Sequence, residues 1–234
     1  MHDAHFHFSD EIIRLQDKHD IPSLCNAADP KEWKHIEKSR IRCSCGIHPW
    51  TADRVSLKEM RPLLEQADII GEIGMDSCWC SVDPAIQKKV FTEQIKYAYA
   101  NKKPVILHTK GQEKEILDII REYPNRYIVH WYSCNQYIEE YNEIASYFTI
   151  GPSVVRDQAV ASVVRNVPIR KLLIESDGID AVEWAVGHRN YIEALKNSIE
   201  TIAAIKGLSV SGTEKILDAN FERMINIRMP MSYR

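Results

Sequence analysis

Six side chains able to hold a divalent cation recur along this 234-residue chain, each at the end of a short apolar run. His5 and His7 close the segment Met1-His2-Asp3-Ala4-His5-Phe6-His7. Residues two apart on a strand face the same side, so this pair can offer both imidazoles to one ion. An isolated H-x-H is more often an incidental surface pair. Here it has company: Glu72 follows Ala67-Asp68-Ile69-Ile70-Gly71, and His108 follows Pro104-Val105-Ile106-Leu107. His130 follows Tyr127-Ile128-Val129, and Asp177 follows Leu172-Leu173-Ile174-Glu175-Ser176. Four imidazoles and two carboxylates exceed the roughly three protein ligands of a single open catalytic zinc. They suit two divalent ions that share a bridging carboxylate. Such a pair, about 3.5–4 Å apart, acidifies a water between the ions and neutralises charge on a phosphoryl or carbonyl oxygen. The histidines favour zinc; carboxylates with open water positions also admit manganese or magnesium.

These residues need a scaffold that brings strand ends together. Apolar runs near 3–7, 22–27, 41–46, 69–73, 104–108, 127–130, 147–150 and 172–176 read as eight strands. Several are continuously apolar or β-branched, the pattern of a parallel sheet covered on its outer face. Amphipathic segments lie between them. Over 85–101, Ile86, Val90, Phe91, Ile95 and Ala98 form one stripe, with Asp83-Pro84 as cap and first turn. Helices are also predicted over 113–122 and 191–206, the latter stopped by Gly207, and a last one is capped by Thr213. The stretch 151–170 has a poor helical pattern and reads as a loop. Strand–helix alternation with eight strands predicts one α/β domain over 1–234, a (β/α)8 barrel of the TIM type, whose usual size is about 250 residues. Its active site lies at the carboxyl ends of the strands.

Composition narrows the partners. The net charge of −3, from 30 basic and 33 acidic residues, gives no global attraction to nucleic acid or anionic lipid. Any phosphate must then be met locally. No apolar stretch approaches the roughly 20 residues of a membrane span. A basic-then-apolar leader is also missing at the start, so a cytoplasmic location is expected. Six cysteines need no disulfides in a chain of this length, and the two C-x-C pairs lack the usual zinc spacing.

Several stretches carry a more specific resemblance: Asp3-Ala4-His5-Phe6-His7, Gly46-Ile47-His48-Pro49, Ile70-Gly71-Glu72-Ile73-Gly74-Met75-Asp76, Gln87, and Pro104-Val105-Ile106-Leu107-His108-Thr109-Lys110. His130 with Tyr132-Ser133, and Glu175-Ser176-Asp177, complete the series. In order and spacing the chain resembles the TatD-like metal-dependent hydrolases of the amidohydrolase superfamily. That resemblance implies one ion on His5, His7, Glu72 and Asp177, and a second on Glu72, His108 and His130. It makes Glu72 the bridge and gives Asp177 the proton of the nucleophilic water. It also implies a deoxyribonuclease acting on DNA single strands or ends, some relatives trimming from the 3′ end. Since the superfamily cleaves amides and esters too, a small-molecule amide, ester or lactone is the alternative substrate. A metal-bearing barrel that binds without turnover ranks below both, because all six positions keep ligand-competent residues.

The substrate-facing loops depart from the family pattern. Asp76 is followed by Ser77-Cys78-Trp79-Cys80, Lys110 stands where an arginine is common, Cys134 replaces a glycine, and Gly178-Ile179-Asp180 follows the last aspartate. Lys110 keeps the charge but loses the bidentate fork. His48, Lys110 and Arg189 are the expected substrate contacts; a turn cap, an exposed lysine and a solvated helix entry are their ordinary fates. His2, His19 and His35 are expected on exposed segments. Trp50, Trp79, Trp131 and Trp184 fall near strand ends, where they can stack on bases or simply cover the barrel mouth. The tryptophan and cysteines at 78–80 suggest a pocket more closed than a nucleic-acid groove.

Overall fold

In the computed structural model, which describes residues 1–36 and 42–226, eight strands lie side by side in chain order, all parallel. They are β1 Asp3–His7, β2 Ser23–Ala27, β3 Cys43–Cys45, β4 Ile69–Asp76, β5 Val105–Lys110, β6 Tyr127–His130, β7 Ala145–Ile150 and β8 Leu172–Ile174. Helices cross between them: α1 Asp10–Lys18, α2 Pro30–Ile36, α3 Leu57–Gln66, α4 Pro84–Ala100, α5 Glu113–Arg121, α6 Ile138–Ile144, α7 Gln158–Asn166, and after β8 α8 Ile179–Val186, α9 Tyr191–Lys206 and α10 Val210–Ile225. Parallel strands need such crossovers, whose helices bury the outer face of the sheet while its inner face packs on itself. Every residue of β4 is buried.

The sheet closes on itself where β8 returns beside β1. This seam is tied largely by side chains. The Asp177 N–H donates to the His5 carbonyl at 3.0 Å, while Asp3 accepts from the Ser176 N–H at 2.9 Å and its hydroxyl at 2.6 Å. Inside the barrel, Ala4, Leu24, Ile69, Ile106, Ile128 and Leu173 form an apolar layer that Phe221 and Met224 of α10 plug from the amino-terminal side. Strand alternation then sets the next layer. On β5, His108 and Lys110 follow Ile106 at two-residue steps, and on β6 His130 follows Ile128. Polar groups thus rise above an apolar floor.

The differences from the predicted elements have local causes. β4 runs to Asp76, three residues past the predicted end, because pairing with β5 continues through Asp76↔Lys110. β8 stops at Ile174, so Glu175, Ser176 and Asp177 lie beyond it, with Asp177 at φ 60°. The last helix is capped by Ser209, whose side chain accepts from the Gly212 N–H; Thr213 is buried in its first turns. The stretch 151–170 holds a 3₁₀ turn at Pro152–Val155 and then α7, capped by Asp157. Its buried face is Val160, Val163 and Val164, β-branched residues that weaken a helical signal. His2 is not exposed. It stacks on Phe221 at 4.6 Å, bonds Asp218 at 2.8 Å and accepts from the Ile174 N–H, because α10 covers the lower end of β1. His19 and His35 are exposed. Residue 41 of the predicted third strand and residues 227–234 of the predicted domain lie outside the described residues. Among the described residues, no helix is long and apolar enough to cross a membrane.

Candidate metal centre

All six ligand candidates meet at the carboxyl ends of the strands, around Glu72. The carboxylate is 1% exposed, and its two oxygens face different partners. Oε1 lies 2.5 Å from His108 Nδ1, 3.4 Å from His130 Nε2 and 3.6 Å from His48 Nε2. Oε2 lies 3.4 Å from His5 Nε2 and 3.5 Å from His7 Nε2. Asp177 Oδ1 adds to the second side, 3.5 Å from both His5 and His7, and reaches His130 at 3.9 Å. One carboxylate therefore divides two half-cups.

The spacing fits cations better than hydrogen bonds. Most of these N···O distances exceed the 2.7–3.2 Å of a good N–H···O bond. Two ligands each about 2.1 Å from a tetrahedral ion lie ~3.4 Å apart, which is the separation seen. Four buried atoms here find no hydrogen-bond partner: His5 Nδ1 and Nε2, Glu72 Oε2 and Asp177 Oδ1. An unpaired buried polar atom costs about 1–3 kcal/mol, so a cluster of four asks for a ligand. The electrostatics agree. Burial pulls the His108 imidazole down, yet Glu72 and Asp76 raise it to about 9. Burial opposes charge on Glu72 as well, but His130, His48 and His108 hold it well below the usual carboxylate range. Asp177 is likewise brought down to about 2 by His130, His5 and His7 against its burial. The cup demands positive charge.

Outer partners aim these ligands. Glu175 Oε2 accepts from His130 Nδ1 at 2.8 Å, turning Nε2 toward Glu72. Asp76 Oδ2 bonds His108 Nε2 at 3.1 Å and accepts from Trp50 Nε1 at 2.7 Å, so Nδ1 faces Glu72. Asn26 Oδ1 accepts the Glu72 N–H and the Ser44 hydroxyl, locking β2, β3 and β4 together beneath the carboxylate. Gln87 clamps the Asp76 backbone through both ends of its amide. Sequence reasoning gave Asp76, Glu175 and Asn26 no role. For Glu175 a signal existed: it is a carboxylate directly after the apolar run Leu172-Leu173-Ile174, two residues before Asp177. Outer carboxylates on ligating histidines are worth about 10–100-fold in metal affinity. Glu175→Ala is expected to weaken metal binding by that factor in chelator competition, with Glu175→Gln, which keeps an acceptor, recovering part of the loss.

The expected substrate contacts are placed differently from one another. His48 Nδ1 accepts from the Trp50 N–H at 3.2 Å. Burial holds its imidazole pKa below the ordinary value, and its Nε2 faces Glu72 Oε1 in a group with Glu72 and His108 whose donor atoms could hold an ion. Lys110 is no loose surface lysine. Its Nζ donates to the Trp131 carbonyl at 2.9 Å and the Ser133 hydroxyl at 2.8 Å, and among the described residues no carboxylate oxygen lies within 4.0 Å of it. Arg189 sits on the exposed rim, held by Asp180 at 2.7 Å, Glu183 at 2.8 Å and Glu11 at 3.4 Å. Two clefts leave the cup, sharing Trp50, His108, His130 and Asp177. One, of about 510 Å³, runs past His7, Glu11 and Arg189; the other, of about 740 Å³, runs past Lys110, Trp79, Trp131 and Trp184. The loop at 78–80 does not close a pocket: Trp79 is 63% exposed. Among the described residues no cysteine joins a group of three ligand-competent side chains.

The chain is similar to known proteins in both sequence and fold. A model of the TatD related DNase family matches residues 2–226. The metal-dependent hydrolase YabD of Bacillus subtilis is 27% identical over 221 residues, 89% of this chain and 85% of that one. YcfH of Escherichia coli K12, also named as a metal-dependent hydrolase, is 25% identical over 203 residues, covering 82% of this chain and 76% of its own. A human protein named 3'-5' RNA nuclease TATDN2 is 26% identical over 160 residues, 62% of this chain and 21% of its own length. Among solved structures, the TatD homologue YjjV of Escherichia coli superposes with a TM-score of 0.82 at 21% identity, covering 97% of this chain and 98% of that one. With the barrel, the cup and a family match over nearly its whole length, the chain belongs to the TatD related DNase family of metal-dependent hydrolases.

Proposed function

We propose that this protein hydrolyses phosphodiester bonds in nucleic acid, at single strands or ends, with two divalent ions seated on the two sides of Glu72. The observation that carries this reading is the division of partners between the Glu72 oxygens, set beside the Lys110 ammonium, which among the described residues has no carboxylate oxygen within 4.0 Å. His5, His7 and Asp177 would hold one ion and His108 and His130 the other, with Glu72 shared; zinc suits this imidazole-rich set, and manganese or magnesium fit the carboxylates. When bound, such ions lower the pKa of a water between them and offset charge on a phosphoryl oxygen.

The chain's own groups supply the rest. Asp177 turns Oδ1 to His5 and His7 while its side chain is 24% exposed and lines both clefts, so its other oxygen can take the proton of an attacking water. His48 Nε2–H donates to a non-bridging or leaving oxygen. The Lys110 ammonium, with one N–H left over from its two bonds, meets the phosphate charge. Arg189 is already neutralised by three carboxylates and reaches a phosphate only by leaving them. The relative named as an RNA nuclease and one named as a putative deoxyribonuclease both support a phosphodiester substrate. The test incubates metal-loaded protein with labelled single-stranded oligonucleotide, with His108→Ala as control. Cleavage by the wild type alone is the expected result. Hydrolysis of amide, ester or lactone substrates without any oligonucleotide cleavage would move the reading to the small-molecule alternative.

A further inference from the structure

The wider cleft has a wall that metal chemistry does not require. Trp50, Trp79 and Trp184 are 47%, 63% and 57% exposed, yet none is loose. Trp184 on α8 meets Trp79 edge-to-face at 6.0 Å and Trp131 at 6.2 Å, and the Arg156 guanidinium lies 5.7 Å from its ring centre while bonding its carbonyl at 2.7 Å. Trp131 is buried beneath, its Nε1 donating to Ser153 Oγ at 2.9 Å, and its ring fills the space a side chain at Gly151 would take. The Trp79 N–H is held at 2.8 Å by Asp76 Oδ1, while the other oxygen of that carboxylate bonds both Trp50 and His108. The aromatic wall and the ligand cup are thus one mechanical unit. Leaving large apolar rings in water forfeits about 25 cal/mol for each Å² that burial would otherwise stabilise. Rings fixed in place and left bare mark a binding surface.

From this geometry we infer that the Trp79–Trp184 wall is a subsite for one unpaired nucleobase adjoining the scissile phosphate. The reading rests on the phosphodiester function proposed above and adds where beside the cleaved bond a base is held. The cavity of about 740 Å³ joins an apolar wall of indoles set edge-to-face to a cation, Lys110, and opens onto His108, His130 and Asp177. Ring and anion at a fixed separation are the recognition elements of a nucleotide. A base within a duplex has both faces already stacked and cannot reach an indole face, so the wall selects a single strand. Stacking on aromatics is tolerant of base identity, because every base has a π-face. The subsite therefore reads the presence of a base and not which base it is.

An abasic scan tests this. Oligonucleotides carrying one tetrahydrofuran residue at successive positions are cleaved by the wild type, by Trp79→Ala, Trp184→Ala and the double variant, and by Trp79→Phe. The wild type is expected to lose about 10- to 100-fold in kcat/KM when the abasic residue falls at a single position relative to the cleaved bond. The double variant should show less than about twofold discrimination there, and Trp79→Phe should retain most of it. Calorimetric binding of a hydrolysis-resistant phosphorothioate tetrathymidylate, with and without the abasic residue, runs alongside. Cleavage without positional discrimination, or discrimination unchanged in the double variant, overturns the subsite and leaves the phosphodiester reading standing. Base-dependent binding that the variants lose, in the absence of cleavage, supports the subsite and removes the phosphodiester reading. If neither cleavage nor base-dependent binding is seen, both fall.

Discussion

Glu72→Ala is expected to lower kcat/KM by at least about 10³-fold, beyond the ~10–100-fold of an outer-partner substitution, and to deplete both ion positions together. The asymmetry of its surroundings gives the reason. His108, His130 and His48 face Oε1, whereas His5 and His7 face Oε2. Removing the carboxylate takes a ligand from each half-cup at once. His5→Ala removes a group from the Oε2 side alone and should empty chiefly one position. The fold should survive both changes, because Asn26 holds the backbone N–H of residue 72 and not its side chain. Metal analysis of the two variants separates the cases, provided each keeps the wild-type circular dichroism spectrum. Equal loss of both ions from His5→Ala would contradict the division at Glu72.

The second large effect concerns a glycine. Gly74 on β4 pairs with His108 on β5, and a methyl placed on its Cα would overlap the His108 carbonyl oxygen. Backbone cannot swing aside as a flexible side chain does, so the two strands must separate. A strand glycine at such a close approach is there for want of room. Overpacking in a tight interior costs about 1–3 kcal/mol and occasionally more; Gly74→Ala should lie at or above the top of that range. Because the displaced residue is His108, catalytic loss should exceed what the stability loss explains. Denaturant titration and kcat/KM at a temperature where the variant stays folded read the two parts separately. A variant with unchanged midpoint and activity would show that β4 and β5 are not packed as described.

Much of the candidate cup was legible because strand-end position and two-residue alternation are local properties. His108 after Val105-Ile106-Leu107, or His130 after Tyr127-Ile128-Val129, announces both its element and its end. The (β/α)8 order followed from the same runs. What could not be read depends on partners distant in sequence. His2 looked exposed beside Asp3, but α10, more than two hundred residues later, covers it. Asp76 sat beyond the predicted end of β4, so its bond to His108 had no visible cause until the long β4–β5 pairing was seen. Thr213 resembled a cap, but the helix starts earlier, where the Ser209 side chain accepts from the Gly212 N–H, and Thr213 is buried inside it. Lys110 and Arg189 looked alike as loop cations, yet Lys110 bonds a carbonyl and a hydroxyl, with no carboxylate oxygen within 4.0 Å among the described residues, and Arg189 is bound by three carboxylates. Such contrasts arise from tertiary charge pairing, which no local pattern carries.

Metal stoichiometry of the purified wild type bears most directly on the cup. After saturation with zinc or manganese and removal of loosely held ion, elemental analysis should give about two divalent ions per chain, as a carboxylate-bridged pair requires. One ion per chain, unchanged by excess metal and unaffected by Glu72→Ala, would contradict the shared carboxylate on which the whole account of this site is built.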